Sequence, residues 1–412
     1  MRTRRPDIMF LIVLILIIAM GAILVVFNQR VIVPLGGDQV YAPIWEASRA
    51  AMRSPGANPY SLEAVSRASL LMGEGTVPRF LYPYYSLMLF GPFAQITPYS
   101  LSRAVWMTVC LACAVGLAAS AVQLTRWRPG ALAGIMFAVF ALGRVEVVRA
   151  LLLGNPSLVI SLLAAMAMLM VVEKIDVGAG VLFGLTMIKP TMVALLLPFV
   201  LVWAVSQRRM RLVASLMVTI TVLVAASFFI YPDWLGGNYA AFLGYYQASF
   251  PSSPAAYVWS WIPGAGPWAM GVTAILLAGL MLISWWGALG KDERWFLWTA
   301  ALTLTITNLL GVPVSVSDHV LLLIPFALAF SVWSQRWPGQ GNQLSLFIMA
   351  VILGAEWALF WFEMGGDFWG RPADIFWFLS PLTALVLLYW VRYWALDSIQ
   401  LRTRHLEALR KL

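Results

Sequence analysis

What most constrains this chain is a series of unbroken apolar runs, among them Phe10 to Val26, Leu212 to Ile230 and Leu382 to Val391. Runs of this kind recur along the sequence and suit helices crossing a hydrocarbon core of ~30 Å. A transmembrane barrel would alternate apolar and polar residues, and these runs do not alternate. With 61% hydrophobic and 11% charged residues and a mean hydropathy of +0.84, the chain is too apolar for a water-soluble domain. The expectation is an all-α polytopic membrane protein: one transmembrane domain over residues 1–412, with about 12 crossings.

The first crossing is expected from Ile8 to Phe27, behind Arg2, Arg4 and Arg5. No small-x-small cleavage site follows it, so it is expected to remain as an anchor with a cytoplasmic N-terminus. Further spans are expected at 101–125, 131–148, 155–172, 177–188, 190–206, 211–231, 267–289, 295–311, 319–334, 343–362 and 374–395. Residues 84–96 are short and bounded by prolines, which suits a half-span or re-entrant piece. This arrangement puts Arg126, Arg128, Lys174, Arg208, Arg209, Arg211, Lys291, Arg294, Arg336 and the basic tail at 396–412 on one side. That is the bias of cytoplasmic loops, so the net charge of +9 follows from topology and needs no nucleic-acid partner. Both termini are then cytoplasmic, in the plasma membrane of a prokaryote. The long segments fall outside: 28–84, 144–156, 231–267, 311–318 and 363–374.

Motifs for other chemistries are missing. Cys110 and Cys113 have C-x-x-C spacing but lie inside an apolar run, where small packing residues fit better than a redox or metal pair. The two histidines have no metal-ligand spacing, and there is no Walker loop, dinucleotide fingerprint, nucleophile elbow or HExxH. Within the first outer segment, Ile44, Ala47 and Ala51 share one helical face and Glu46, Arg49 and Arg53 another. An amphipathic helix is expected there, on the membrane surface or over the bundle, with Pro43 as its first residue. Asp38 precedes it, either facing a cavity at the membrane boundary or capping the helix.

Asp38-x-x-Tyr41, Gly56-x-Asn58-Pro59-Tyr60 and Phe80-Leu81-Tyr82-Pro83, the last before a Pro-bounded hydrophobic piece, together resemble glycosyltransferase family 87 of the GT-C superfamily. Gly154-Asn155-Pro156, Lys189-Pro190-Thr191 and Ser315-x-Ser317-Asp318-His319 follow in the family's order. The chain departs from the common pattern at Tyr84, where a second proline is usual, at Asn155, where a glutamine is usual, and near Asp318. The resemblance implies a polytopic enzyme that takes a sugar, usually mannose, from a polyprenyl phosphate on the outer membrane face. Its partners would be that donor, a glycolipid or glycan acceptor and the surrounding lipids.

Such a transfer needs a base for the acceptor hydroxyl, while the phosphate leaves as a stable anion without a strong acid. Asp38 is the candidate base and Asp318 its competitor. Lys189, an outer-side lysine between two short spans, would sit at phosphate depth or snorkel to head groups. His319 could donate to the phosphate or orient the acceptor. Arg144 and Arg149 run against the orientation bias, which suits phosphate contacts, or pairing with Glu146 at the surface. Glu356, inside an apolar span, should line the cavity or pair with a base. Tyr41, Asn155 and Tyr82 complete the candidate acceptor or secondary site. Aromatics of the 231–267 segment, such as Trp234, Tyr239 and Trp259, suit an interfacial belt, with one or two against sugar. No cofactor is expected; Asp38, Asp318, Asp367 and Asp374 could hold a divalent ion, but no spacing compels it. The competing readings are a transporter or flippase of a lipid-linked sugar, with charges at the midplane of two related halves, and a non-catalytic sugar-lipid-binding protein.

Overall fold

The first apolar run forms α1 (Ile8–Phe27), which passes through a π turn (Asn28–Ile32) and a 3-10 turn (Val33–Leu35) before ending at Gly36 and Gly37. The computed structural model describes residues 8–37, 40–54, 56–71, 79–249, 266–312, 315–364 and 375–396. Among them all regular structure is helical. Asp38, Asp367, Asp374 and the tail beyond residue 396 lie outside the described residues.

The segment 28–84, expected outside, holds α2 (Tyr41–Arg53) and α3 (Leu62–Ser69), and the Pro-bounded piece 84–96 holds α4 (Ser86–Ala94). α2 turns Tyr41, Ile44, Trp45 and Ala47 inward against α4, so the amphipathic helix lies over the bundle. It begins two residues before Pro43, not at it. The proline costs nothing there, because a first-turn N–H has no intrahelical acceptor. Val40 precedes the helix and makes no side-chain cap bond. α3 was not expected; Ser61 starts it by accepting from the Ala64 N–H at 3.2 Å.

The bundle continues with α5 (Tyr99–Leu124), α6 (Ala131–Gly143) and α7 (Val145–Leu152). The expected single span 131–148 is a pair bent by 50°. The break falls at Arg144, which takes an extended conformation (φ −61°, ψ 142°) as its side chain enters a buried ionic cluster. α8 (Ser157–Val172), α9 (Asp176–Leu185) and α10 (Leu196–Ser206) are short. Between α9 and α10 the chain opens at Lys189 (φ −132°, ψ 78°), since Pro190 disfavours the α conformation in the residue before it.

After α11 (Met210–Ile230) the expected aromatic loop begins instead as a helix, α12 (Trp234–Ser249). Trp234 packs edge-on against Tyr85, Tyr239 is exposed, and Trp259 lies outside the described residues. The last helices are α13 (Gly266–Ala288), α14 (Glu293–Leu309), a 3-10 segment (Val316–Leu322) leading into α15 (Leu323–Arg336), α16 (Gln340–Met364) and α17 (Ile375–Leu396). The 3-10 segment and α15 form the buried axis, whereas the long helices α1 and α11 leave most of their apolar residues exposed, as lipid-facing helices do. Among the described residues seven helices are long and apolar enough to cross a membrane, or eight with the bent pair; the helices around 157–172, 176–188 and 196–206 are shorter than such a span. Cys110 and Cys113 are free thiols inside α5, the former fully buried.

Candidate functional site

The helix break at Lys189 brings its side chain onto the start of α8. The ammonium is buried and donates to Asn155 Oδ1 (3.1 Å), Ser157 Oγ (2.9 Å) and Asp318 Oδ1. Ser157 Oγ lies 2.5 Å from both Asn155 Oδ1 and Asp318 Oδ1, and its single proton serves one of them. Asn155 Oδ1 also accepts the Ser157 N–H at 3.1 Å, which fixes the turn into α8. Three motifs distant in sequence therefore meet here, supplied by the α7–α8 turn, the α9–α10 break and the 3-10 segment. All three ammonium protons of Lys189 are engaged. What it offers an incoming anion in this arrangement is its field, not an unused N–H.

A small cavity of about 70 Å³ opens beside it, lined by Leu81, Tyr82, Pro83, Lys189, Thr191 and Asn238 among others. The Phe80–Pro83 run is held against α12, where Asn238 Nδ2 donates to Leu81 O at 3.2 Å, and against Tyr60, whose hydroxyl donates to Tyr82 O at 2.9 Å. The Thr191 hydroxyl is buried and has no hydrogen-bond partner among the described residues.

Asp38 lies outside the described residues, but the chain on both sides of it is held by the first two turns of α5. Downstream, Tyr41 stacks between Tyr99 and Trp106, with centroids 6.0 and 5.9 Å away. Its hydroxyl pairs with Ser102 Oγ at 2.8 Å. Burial pushes the Tyr41 phenol far above its usual pKa, so it remains neutral. Trp106 Nε1 donates to Gly154 O at 2.7 Å. Gly154 has φ +64°, and a Cβ there would stand 3.0 Å from Tyr41 Cβ. The α7–α8 turn thus lies directly against the start of α2, and glycine suits both the close approach and the positive φ.

Arg144 belongs to a second, separate cluster. Its guanidinium donates to Glu356 Oε1 at 3.1 Å (Nε) and 3.0 Å (Nη2), to Glu146 Oε1 at 2.8 Å and to Ser380 Oγ at 2.8 Å. It also lies over the rings of Phe326 and Phe140. The pairing with Glu146 is therefore buried, and Glu356 has its basic partner. His319 is fully buried between the two clusters, near enough to Glu146, Asp318 and Arg144 to feel their charges. Arg149 is buried on α7.

Sequence reasoning missed Ser157 and Arg103. Arg103 is fully buried near the start of α5, and the signal that singled out Arg144, an arginine expected on the outer side, applied to it equally. Ser157 carries no signal by itself; only the fold sets its hydroxyl beside Lys189. Among the described residues no group of three or more His, Cys, Asp or Glu side chains is placed to hold a metal ion.

No curated protein and no solved structure matches the chain. The sequence model of glycosyltransferase family 87 matches residues 80–313, more than half of its length, from the Tyr82 side of the cavity through Asn155 and Lys189 to the threshold of the Asp318 segment. A helical membrane bundle that gathers these motifs at one buried cluster, with that match, belongs to glycosyltransferase family 87.

Proposed function

We propose that this glycosyltransferase moves a sugar, mannose by family resemblance, from a polyprenyl phosphate to a hydroxyl of a glycolipid or glycan acceptor. The reaction runs on the extracytoplasmic face of a prokaryotic plasma membrane, with both termini in the cytoplasm. The observation that carries this reading is the place of Lys189, which lines one cavity with Leu81, Tyr82 and Pro83 and bonds Asn155 and Asp318.

In the proposed reaction the acceptor oxygen attacks the anomeric carbon from the face opposite the phosphate, and configuration inverts. The new C–O bond forms as the bond to the bridging phosphate oxygen breaks. The hydroxyl proton goes to the Asp38 carboxylate, and the electron pair leaves with polyprenyl phosphate. Negative charge grows on the phosphate as the bond breaks, and the buried ammonium of Lys189 stabilises that charge where little water competes. Tyr82 and the Thr191 hydroxyl contact the donor head group, with His319 and Arg149 behind it, while Arg144 is neutralised by Glu146 and Glu356 and adds no positive field. Tyr41, Asn155, Asp318 and Glu356 hold the surrounding frame. The mechanism requires no metal.

The test is a transfer assay with purified wild-type protein and Asp38→Asn in nanodiscs, using labelled polyprenyl-phosphate-mannose and a panel of glycolipid acceptors. Transfer by the wild type and none by the folded variant is expected. Undiminished transfer by Asp38→Asn moves the base to Asp318. No transfer from any polyprenyl-phosphate sugar by folded wild type returns the transporter and binding readings.

A further inference from the structure

Arg103 joins three backbone carbonyls from two distant segments. Nη1 donates to Val33 O at 3.2 Å, and Nη2 donates to Gly36 O and, at 3.0 Å, to Leu152 O. Leu152 ends α7, so its carbonyl lacks an intrahelical partner and a guanidinium suits it. That need would be met by one donor. The other two bonds reach the end of α1, immediately before Asp38, where the chain leaves the membrane helix through an unusual turn. Gly36 has φ 93° and ψ −156°, a region open essentially to glycine alone, and Gly37 follows with φ 89°. Only residues 37–40 run between the carbonyl held by Arg103 and Tyr41, which the same two turns of α5 hold through Tyr99, Ser102 and Trp106. Those turns also hold Leu152 O and Gly154 O on either side of the bend leading to Asn155, and so to Lys189.

We infer that Arg103 is a positioning residue for the transfer: it ties Gly36, two residues before the base in sequence, to the end of α7 and so to the turn that carries Asn155. This inference rests on the reading of Asp38 as the base. The planar fork of arginine reaches carbonyls in two segments at once, which the point charge of lysine does only in part. Displacing a base by about 1 Å costs on the order of 100-fold in rate.

The experiment compares kcat, donor KM and melting temperature for wild type, Arg103→Gln, Arg103→Lys and Asp38→Asn in nanodiscs. Arg209→Gln serves as a control: Arg209 bonds Asp176 Oδ1 (2.7 Å) and Val171 O (2.9 Å) away from the cavity, and its loss should lower the melting temperature and leave kcat unchanged. For Arg103→Gln the expected result is a fall in kcat of about 100-fold with donor KM within about twofold, and partial recovery in Arg103→Lys. Unchanged kcat in folded Arg103→Gln overturns the inference while Asp38→Asn still reports on the base. Loss of stability without a selective loss of kcat, as in the control, also overturns it. If Arg103→Gln does not fold, Gly36→Ala displaces the same segment through its backbone and is judged by the same split. Undiminished transfer by Asp38→Asn removes the base reading and this inference with it.

Discussion

The two buried ionic clusters are close in composition and opposite in setting. The Lys189 cluster draws on breaks in helices: the turn into α8, the gap between α9 and α10, and a 3-10 segment, beside an open cavity. The Arg144 cluster joins α6 and α7 to residues within the continuous helices α16 and α17, and is closed over by Phe140 and Phe326. Burying an ion pair costs desolvation that its attraction only partly offsets, so such pairs are weak devices for stability alone. In the Arg144 cluster one cation serves two carboxylates and a hydroxyl across three helix contacts, which locks the bent pair in register. In the Lys189 cluster the pair stands beside a cavity, where the proposed reaction puts the donor phosphate. The first is the signature of a fastening, and the second of a site.

Removing one partner from each cluster tests this contrast most severely. Arg144→Met leaves two buried carboxylates without their cation, and a destabilisation of about 3–5 kcal/mol or more is expected in thermal unfolding, with poor expression. A variant as stable as wild type would abolish the distinction. Lys189→Met should destabilise by a similar amount, about 3–5 kcal/mol, and abolish transfer. The double variant Lys189→Met with Asp318→Leu, which removes both charges, should recover most of the stability and none of the transfer. Recovery of both would make the pair structural.

Smaller changes sharpen the comparison. Glu356→Gln keeps a hydrogen-bonding group beside Arg144 and leaves Glu146 as counter-charge, so a loss of about 1–3 kcal/mol in melting experiments is expected, with kcat retained. Ser157→Ala and Ser380→Ala each remove one buried hydroxyl, for about 0.5–1.5 kcal/mol of stability, but only Ser157→Ala should lower transfer. Equal effects on transfer would erase the difference in role. At the small end, Arg67 pairs with Glu46 and Glu63 at the surface. Arg67→Ala should change stability by no more than about 1 kcal/mol, less at high salt.

Much of the bundle could be read from the chain. The helices at 99–124, 210–230 and 340–364 fall close to the expected spans because an unbroken apolar run has one stable answer in lipid: a helix that satisfies its own backbone. The gap at Lys189-Pro190 was legible for a local reason, the steric effect of proline on the preceding residue. The bend at Arg144 was not, because nothing near Gly143 or Val145 forbids a straight helix, and the carboxylate that meets Arg144 at the break is 212 residues away. α12 was hidden by its aromatics, which suit an interfacial loop as well as a helix.

The candidate site divides in the same way. Asn155, Lys189 and Asp318 could be singled out by residue type, position near span ends and motif, all of which are local. That they touch one another, that Ser157 sits among them and that Arg144 is committed to Glu146 and Glu356 depend on separations of 129 and 212 residues. By itself the sequence determined a helical membrane protein, its principal breaks and the residue types available for chemistry, because hydrophobic length, proline sterics and charge bias act over a few residues. Only the tertiary structure decided which charges meet, because a buried ion is tolerated only with a partner, and the packing of distant helices selects that partner.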